Sequence, residues 1–325
     1  MTLSQETRAG EAVAAGRRPN WLWVGLAVAA FVAVALAITG LRSEPAFPFV
    51  AGPTGLAGKP TPAQAPYLAA NHLWATVAMT AIGLIGVAAG IRLSLKGRTL
   101  LPLMVGLSAA TIVFSEVFYD VIGGVYFPYS QTDPLGSTFT ILGRTMPVWI
   151  TAGWFGYGIF AVVTYLMLVK RPTTRTLWFA LGLAAVGDVV FEEVLLSFDV
   201  YHYYGNQPLV LLFELPWWWI PCNSVGVILA AAIAYRFRSS LRGWKALCML
   251  VVTPMSVTAV YGFIALPSWI AVNGDFPWLV TQTLGLATVT LGVFAFMGVL
   301  KFVLNRDPFD LDYQPTEDAE FLRVN

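Results

Sequence analysis

Charge is what this chain has least of. Charged side chains make up 11% of its 325 residues, less than half the roughly 25% of an ordinary soluble domain, so there is too little polar surface to cover a water-soluble globule. Histidine is nearly missing too, and two residues cannot supply a histidine-rich di-iron centre or several bis-histidine haems. Cysteine is as scarce: Cys222 and Cys248 both fall inside apolar runs, so a disulfide framework is not indicated. No Gly-x-Gly-x-x-Gly, Walker loop or Gly-x-Ser-x-Gly elbow occurs, which removes the usual footholds of nucleotide, ATP and serine-hydrolase chemistry. Basic clusters interleaved with aromatics are absent as well, and nucleic acid is therefore not an expected partner.

Long apolar stretches are what the chain has instead. Crossing ~30 Å of hydrocarbon takes about 20 helical residues, and eight runs qualify: 21–41, 69–92, 100–126, 147–169, 176–198, 209–235, 246–271 and 278–304. The first is a full membrane width and lacks a small-residue cleavage site before the Pro-rich stretch 44–66, so it reads as a helix and not as a signal peptide. Sixteen of the nineteen Lys and Arg residues lie at the termini or after the second, fourth and sixth runs, the side that the positive-inside rule assigns to the cytoplasm. The expected fold class is all-α: a polytopic bundle of about eight transmembrane helices in the cell membrane, with both termini cytoplasmic. Around this domain, 21–304, lie a short cytoplasmic leading segment, 1–20, and an acidic cytoplasmic tail, 305–325, expected to be solvated and disordered.

The middle of the chain echoes itself. "EVFYDVIGGVY" (116–126) and "EVLLSFDVYHY" (193–203) both begin Glu-Val and end on a tyrosine, Tyr126 and Tyr203. Each is followed by a polar loop and then by a Pro-x-Trp at the mouth of the next run, "PVW" (147–149) and "PWW" (216–218). Such matches also arise by chance near membrane interfaces. Read as a parallel repeat of two helix pairs, they would bring Glu116 and Glu193 together about an axis along the membrane normal.

Acidic residues without cations are the strongest functional signal. Glu116 and Asp120 share a helix face, as do Asp188 and Glu192, because residues four apart lie one above the other. Glu193 points about a quarter-turn away. At 1.5 Å per residue, Glu116 and Glu192 sit ~10–15 Å deep in the outer half of the bilayer. Glu214 lies just inside the following run. An ionised carboxylate at mid-span opposes insertion by about 2.5–3.5 kcal/mol. Arg144, His72 and His202 stand near the outer boundary, within reach of only the shallower acids. Relief must then come from protonation, a bound cation, or water in a polar cavity.

A protonated carboxylic acid in a dry, aromatic setting is a proton donor, and a lipid-soluble alkene or epoxide is the natural acceptor. Trp149, Trp154, Tyr157, Tyr201, Tyr203 and Tyr204 cluster near the same outer depth as Trp217, Trp218 and Trp219, and Tyr126 ends the first of the two echoes. Their faces can stabilise a passing carbocation, although Trp and Tyr also favour membrane interfaces for their own sake. Asn223 could orient a hydroxyl or water. Glu116/Asp120 and Asp188/Glu192 are the only stand-ins for a diphosphate-binding acidic motif, with few cations near to hold a diphosphate. No cofactor is therefore expected, and Mg²⁺ is the one metal such acids would take. Two other readings stay open: hydrogen bonding of these acids to stiffen the bundle, and proton or cation transport through them.

At "FEEVLLSFDVYHYYGNQPLVLLFELPWWWIP" (191–221) the chain resembles integral-membrane carotenoid-biosynthesis proteins of the hydratase type, which combine an intramembrane Glu, a Tyr-rich polar loop and a Pro/Trp-rich following helix. "FEEVLLSF" is also similar to the Pro-x-Glu-Glu segment of small membrane lycopene cyclases, but has no proline, and membrane terpene cyclases with paired carboxylates are similar in logic. The resemblance implies acid-initiated cyclisation, isomerisation or hydration of an isoprenoid, with Glu192 or Glu193 as donor. The expectation drawn from all of this pairs Glu193 with Glu116 as donor and proton-sharing partner. Asp188, Glu192 and Asp120 would tune them, and the aromatics, Asn223 and Glu214 would line the substrate cavity.

Overall fold

The computed structural model describes residues 68–316, apart from 131–132, 142–143 and 212–214. Among these, six helices are long and apolar enough to cross a membrane, at 69–97, 101–123, 148–169, 219–236, 243–264 and 278–303. The protein is a mostly helical, membrane-embedded bundle with little sheet. The run at 21–41, the leading segment and the acids beyond position 316 fall outside the described residues.

Two long helices, α1 (Ala69–Gly97) and α4 (Val148–Val169), form the most extensive pair. Lipid is as apolar as leucine, so helices in it associate by close backbone packing and not by hydrophobic exclusion. Accordingly the buried stripe of α1 is made of small and slender residues, with Gly83, Gly86 and Gly90 among His72, Ala75, Met79 and Ser94. A Cβ added to Gly86 would lie 3.1 Å from the Ile159 backbone, and one on Gly158 of α4 would lie 2.3 Å from the carbonyl oxygen of Gly106 in α2 (Leu101–Leu107). Gly158→Leu is therefore expected to force α4 away from α2 and to destabilise the bundle by about 1–3 kcal/mol. An unchanged unfolding temperature in detergent would show that the two helices do not meet through this glycine.

The run expected as one helix over 100–126 is interrupted. After α2 comes a tight 3₁₀ stretch, Ser108–Ile112, and then α3 (Val113–Gly123). Hydroxyl groups that bond to nearby carbonyls compete with the helical ladder. Ser108 Oγ donates to Val105 O at 3.0 Å and meets Thr253 Oγ1 at 2.7 Å, while Thr111 Oγ1 donates to Ser108 O at 2.6 Å and to Leu250 O at 2.9 Å. This tightened turn aims the face of α3 that carries Glu116 and Asp120.

Helix α5 (Thr174–Ser197) begins at Thr173, whose side chain accepts the Thr176 N–H at 3.2 Å, satisfying one orphan donor of the first turn. Phe179, Leu183, Val186, Val190 and Val194 form an exposed apolar stripe along it, while Asp188 and Glu193 are buried. The helix thus turns grease outwards to lipid and acid inwards. Of the long helices, α5 packs against α6 (Trp219–Arg236) and forms no comparable pairing with its chain neighbour α4.

The sixth run was expected as a helix from 209, but α6 starts at Trp219. Pro208 and Pro216 supply no N–H, and the intervening chain makes a short hairpin of β5 (Val210–Leu211) and β6 (Leu215–Pro216). An analogous hairpin, β2 (Ser137–Ile141) with β3 (Arg144–Pro147), leads into α4. The polar loops ahead of these hairpins are joined by an antiparallel pair, β1 (Val125–Tyr126) with β4 (His202–Tyr203), in register Val125↔Tyr203 and Tyr126↔His202. The seventh run also breaks, into a 3₁₀ turn (Gly243–Cys248), α7 (Met249–Ile264) and α8 (Leu266–Asn273), with Pro267 at the start of α8. Helix α9 (Trp278–Gly298) closes the bundle and ends in a π turn, Val299–Val303.

Residues 305–316, placed by composition in a solvated tail, are held to the corner between α4 and α5. Thr174 N donates to Tyr313 O at 3.1 Å, Arg175 N to Leu311 O at 2.8 Å, and Trp178 Nε1 to Pro308 O at 3.0 Å. Arg306 is buried there and donates to Pro172 O at 2.5 Å. Backbone pairing orders this segment despite its charge.

Candidate functional site

Three sequence-predicted acids meet at one cavity of ≈ 70 Å³: Glu116 and Asp120 from α3, and Glu192 from α5. The walls are aromatic. Trp149, Trp154 and Tyr157 enter from α4, Trp219 from α6, Tyr261 from α7, and Tyr201 and Tyr203 from the loop after α5. Toward that loop the cavity is closed by buried rings, with Trp149 stacked on Tyr201 at 5.7 Å and Phe127 edge-on to Trp149 at 5.6 Å.

Glu192 is held entirely by neutral donors. Tyr201 and Tyr203 donate to its Oε2, the latter at 3.1 Å, and Asn223 Nδ2 donates to Oε1 at 3.3 Å. Burial pushes the phenols of Tyr201 and Tyr203 well above the ordinary tyrosine value, and the Glu192 charge pushes the same way, so both stay protonated donors. One turn back, Asp188 accepts from Tyr157 OH at 3.0 Å and from Asn223 Nδ2 at 3.2 Å. Asn223 in turn accepts the Tyr261 hydroxyl on its Oδ1. Every polar atom of the Asn223 amide is engaged, which fixes its orientation.

Glu116 differs. The Trp154 indole bonds to it and the Glu192 charge lies close enough to act on it, yet its Oε2 has no hydrogen-bond partner among the described residues, nor has Asp120 Oδ2. The site therefore holds one carboxyl surrounded by donors, Glu192, and two on α3, Glu116 and Asp120, that each keep an oxygen without a hydrogen-bond partner among the described residues. Different environments for two facing carboxyls are what separates an acid from a base.

The remaining expected residues divide. Trp149, Trp219, Tyr203 and Asn223 line the cavity. Glu193 is buried but lies outside its lining, because one residue along a helix turns a side chain by about 100°. Asp188 is not in the lining either and reaches it through Asn223 and Tyr157. Trp217 is on the exposed side. Trp218 is fully buried behind Trp219, stacked on it at 4.5 Å, and donates to Gln207 Oε1 at 3.1 Å. Glu214 falls outside the described residues.

Tyr126 lies away from the cavity, beside Arg144, whose guanidinium sits 5.8 Å from the Tyr126 ring and 5.4 Å from that of Tyr204 and donates to the Tyr204 hydroxyl. Desolvation pushes the Tyr126 and Tyr204 phenols up to about 12, with the Arg144 charge opposing. Arg144 also acts on Asp120, the shallower acid of α3. His72 instead pairs with Asp133, at 3.2 Å, tying the loop after β1 to α1. Tyr261, Phe127 and Phe191 line the cavity without having been singled out. Nothing distinguishes Tyr261 in "VTAVYGFIA" except that it is the only phenol in its run.

Chemically, the arrangement sets carboxyls in two different hydrogen-bonding environments against a wall of π faces around one cavity. Among the described residues no group of three or more His, Cys, Asp or Glu side chains is disposed to hold a metal ion. Compared with models of known protein families, with curated proteins and with solved structures, the chain has no match.

Proposed function

We propose that the protein is an integral-membrane enzyme of isoprenoid metabolism that starts a carbocation reaction by protonating a lipophilic alkene or epoxide. Glu116 gives the proton. The alkene π pair forms the new C–H bond and leaves a cation on the neighbouring carbon, within reach of Trp154, Trp219 and Tyr261. Glu192 then takes a proton, either from the cation, giving a cyclised or isomerised product, or from a water that has captured it, giving an alcohol. The cycle closes when Glu192 releases its proton and Glu116 is re-protonated by exchange with solvent, and no electron transfer or redox cofactor is needed. The observation that carries this reading is the cavity itself: carboxyls from two helices share one aromatic chamber, and those on α5 are held by phenols and an amide.

In the membrane we read eight spans, counting α5 and the run at 21–41, with both termini cytoplasmic. We also read the two halves of the central region as a repeat. The same offset along the chain separates Glu116 from Glu193 and Tyr126 from Tyr203, and the β1–β4 register maps onto itself under that offset. Each copy continues through a hairpin ending in proline to a long helix. Glu192, and not the repeat-related Glu193, is the acid presented to the cavity, so the symmetry supports the framework and stops short of the chemistry.

Deuterium supplies the test. Membranes containing the protein, given acyclic isoprenoids in D₂O, are expected to yield a cyclised, isomerised or hydrated product with one carbon-bound deuterium from solvent. Conversion of an alkene without carbon-bound deuterium would exclude protonation of its double bond as the first step. No conversion, with proton flux across proteoliposomes instead, would favour transport through the same acids.

A further inference from the structure

The cavity is too small to hold what it is proposed to act on. At ≈ 70 Å³ it has room for about five water molecules, which is one branched chain end and not a long isoprenoid. The rest of the molecule must lie elsewhere, and the loop side is closed by the buried stack of Phe127, Trp149 and Tyr201. Between α4 and α5, by contrast, the long helices do not pack as a pair, and the lining residues on both sides of that seam, Gly153, Trp154 and Phe191, are only half-buried. A Cβ added to Gly153 would meet nothing within 4 Å. Next to the seam α5 presents Val186, Val190 and Val194 outwards, as a surface in contact with acyl chains would.

From this geometry we infer that the cavity is entered sideways from the lipid, through the seam between α4 and α5, and that its substrate is a chain-ended isoprenoid which inserts its terminal unit while its body stays in the bilayer. Gly153 sets the bore of the opening. This inference rests on the acid-catalysis reading for the identity of the substrate, but the route itself does not. It predicts tolerance of chain length and intolerance of a ring at the inserted end: acyclic homologues sharing one terminal unit should react at rates within about threefold of one another, and ring-capped ones should not react.

The test follows the opening without requiring turnover. In the full chain reconstituted in vesicles, with Cys248→Ser to remove the exposed native thiol, Phe191→Cys places a thiol at the seam; Cys222 is fully buried. A maleimide dissolved in the membrane is expected to label this thiol at least tenfold faster than a charged methanethiosulfonate added to the water. Adding Gly153→Leu should slow that labelling at least tenfold, whereas Gly182→Leu, on the same α5 but also with open space around its Cβ, should leave it unchanged. Equal labelling by the charged reagent, or indifference to Gly153→Leu, overturns the lateral route. Lipid-side labelling in a protein that converts no isoprenoid keeps the route and rejects the acid chemistry; Glu116-dependent conversion with water-side labelling rejects the route and keeps the chemistry.

Discussion

Glu116→Gln is expected to abolish conversion of the isoprenoid while leaving the protein as stable as before, whereas Glu192→Gln is expected to lose both. Each replacement keeps the shape of the side chain and removes its capacity to give or take a proton. General acid–base catalysis by a positioned group is worth about 10²–10⁴-fold, and a loss in that range is expected for Glu116, with Asp120 the other carboxyl that α3 presents to the cavity. The two variants separate on stability because their surroundings differ. Glu116 Oε2 engages no partner among the described residues, so an amide there breaks nothing on that side. Glu192 accepts from Tyr201, Tyr203 and Asn223. An amide at 192 must set its own N–H₂ against those donors, and a buried polar group facing a like partner is destabilising by about 1–3 kcal/mol. Product formation by mass spectrometry and unfolding temperature in detergent give the two readouts. Retained conversion by Glu116→Gln removes it as the donor, and an undisturbed unfolding temperature for Glu192→Gln would mean that its phenol partners are not bonded to it.

These assignments differ from what the bare sequence supports, and the reasons are physical. Run length and apolar content locate α1, α4 and α9 because those helices obey the membrane's length requirement and nothing interrupts them. The spacing of Asp188 and Glu192 is equally legible, since four residues bring side chains to one face whatever the tertiary fold. Which of two adjacent glutamates lines the cavity is not legible that way. It depends on the rotation of α5, set where its Phe179–Val194 stripe meets lipid and where its inner face meets α6. The 209–218 hairpin is hidden for a related reason: Leu209, Val210 and Leu211 are as apolar as any span, and only Pro208 and Pro216 mark the break. Contacts made across the chain, such as His72 with Asp133 or Tyr261 with Asn223, leave no periodic trace at all. The strapping of 305–316 onto α5 is of the same kind, with acids that composition assigns to solvent held by backbone pairing.

Asn223→Leu is expected to be the most damaging single change to the site's architecture. The asparagine amide donates to Asp188 at 3.2 Å and to Glu192 at 3.3 Å, and accepts from Tyr261, so an isosteric apolar replacement strips one partner from each of three buried groups. Asp188 retains Tyr157, and Glu192 retains its two loop tyrosines, which keeps the loss well below that of three fully orphaned groups. At about 1–3 kcal/mol for each buried polar atom left unmatched, and with strong coupling among neighbours, a total of about 2–5 kcal/mol follows. Tyr261→Phe removes only the hydroxyl and should lower stability by about 1–2 kcal/mol, keeping the ring that stacks on Tyr119 at 4.2 Å. The double variant decides whether Asn223 acts as the hub. If Tyr261 bonds through it, Asn223→Leu with Tyr261→Phe is less destabilised than the two single losses added together, by about 0.5–3 kcal/mol. Strict additivity would mean that the two side chains are independent. Activity should follow the same order, because without the amide Glu192 loses the bond that fixes its Oε1 and no longer holds one orientation toward the cation from which it must take a proton.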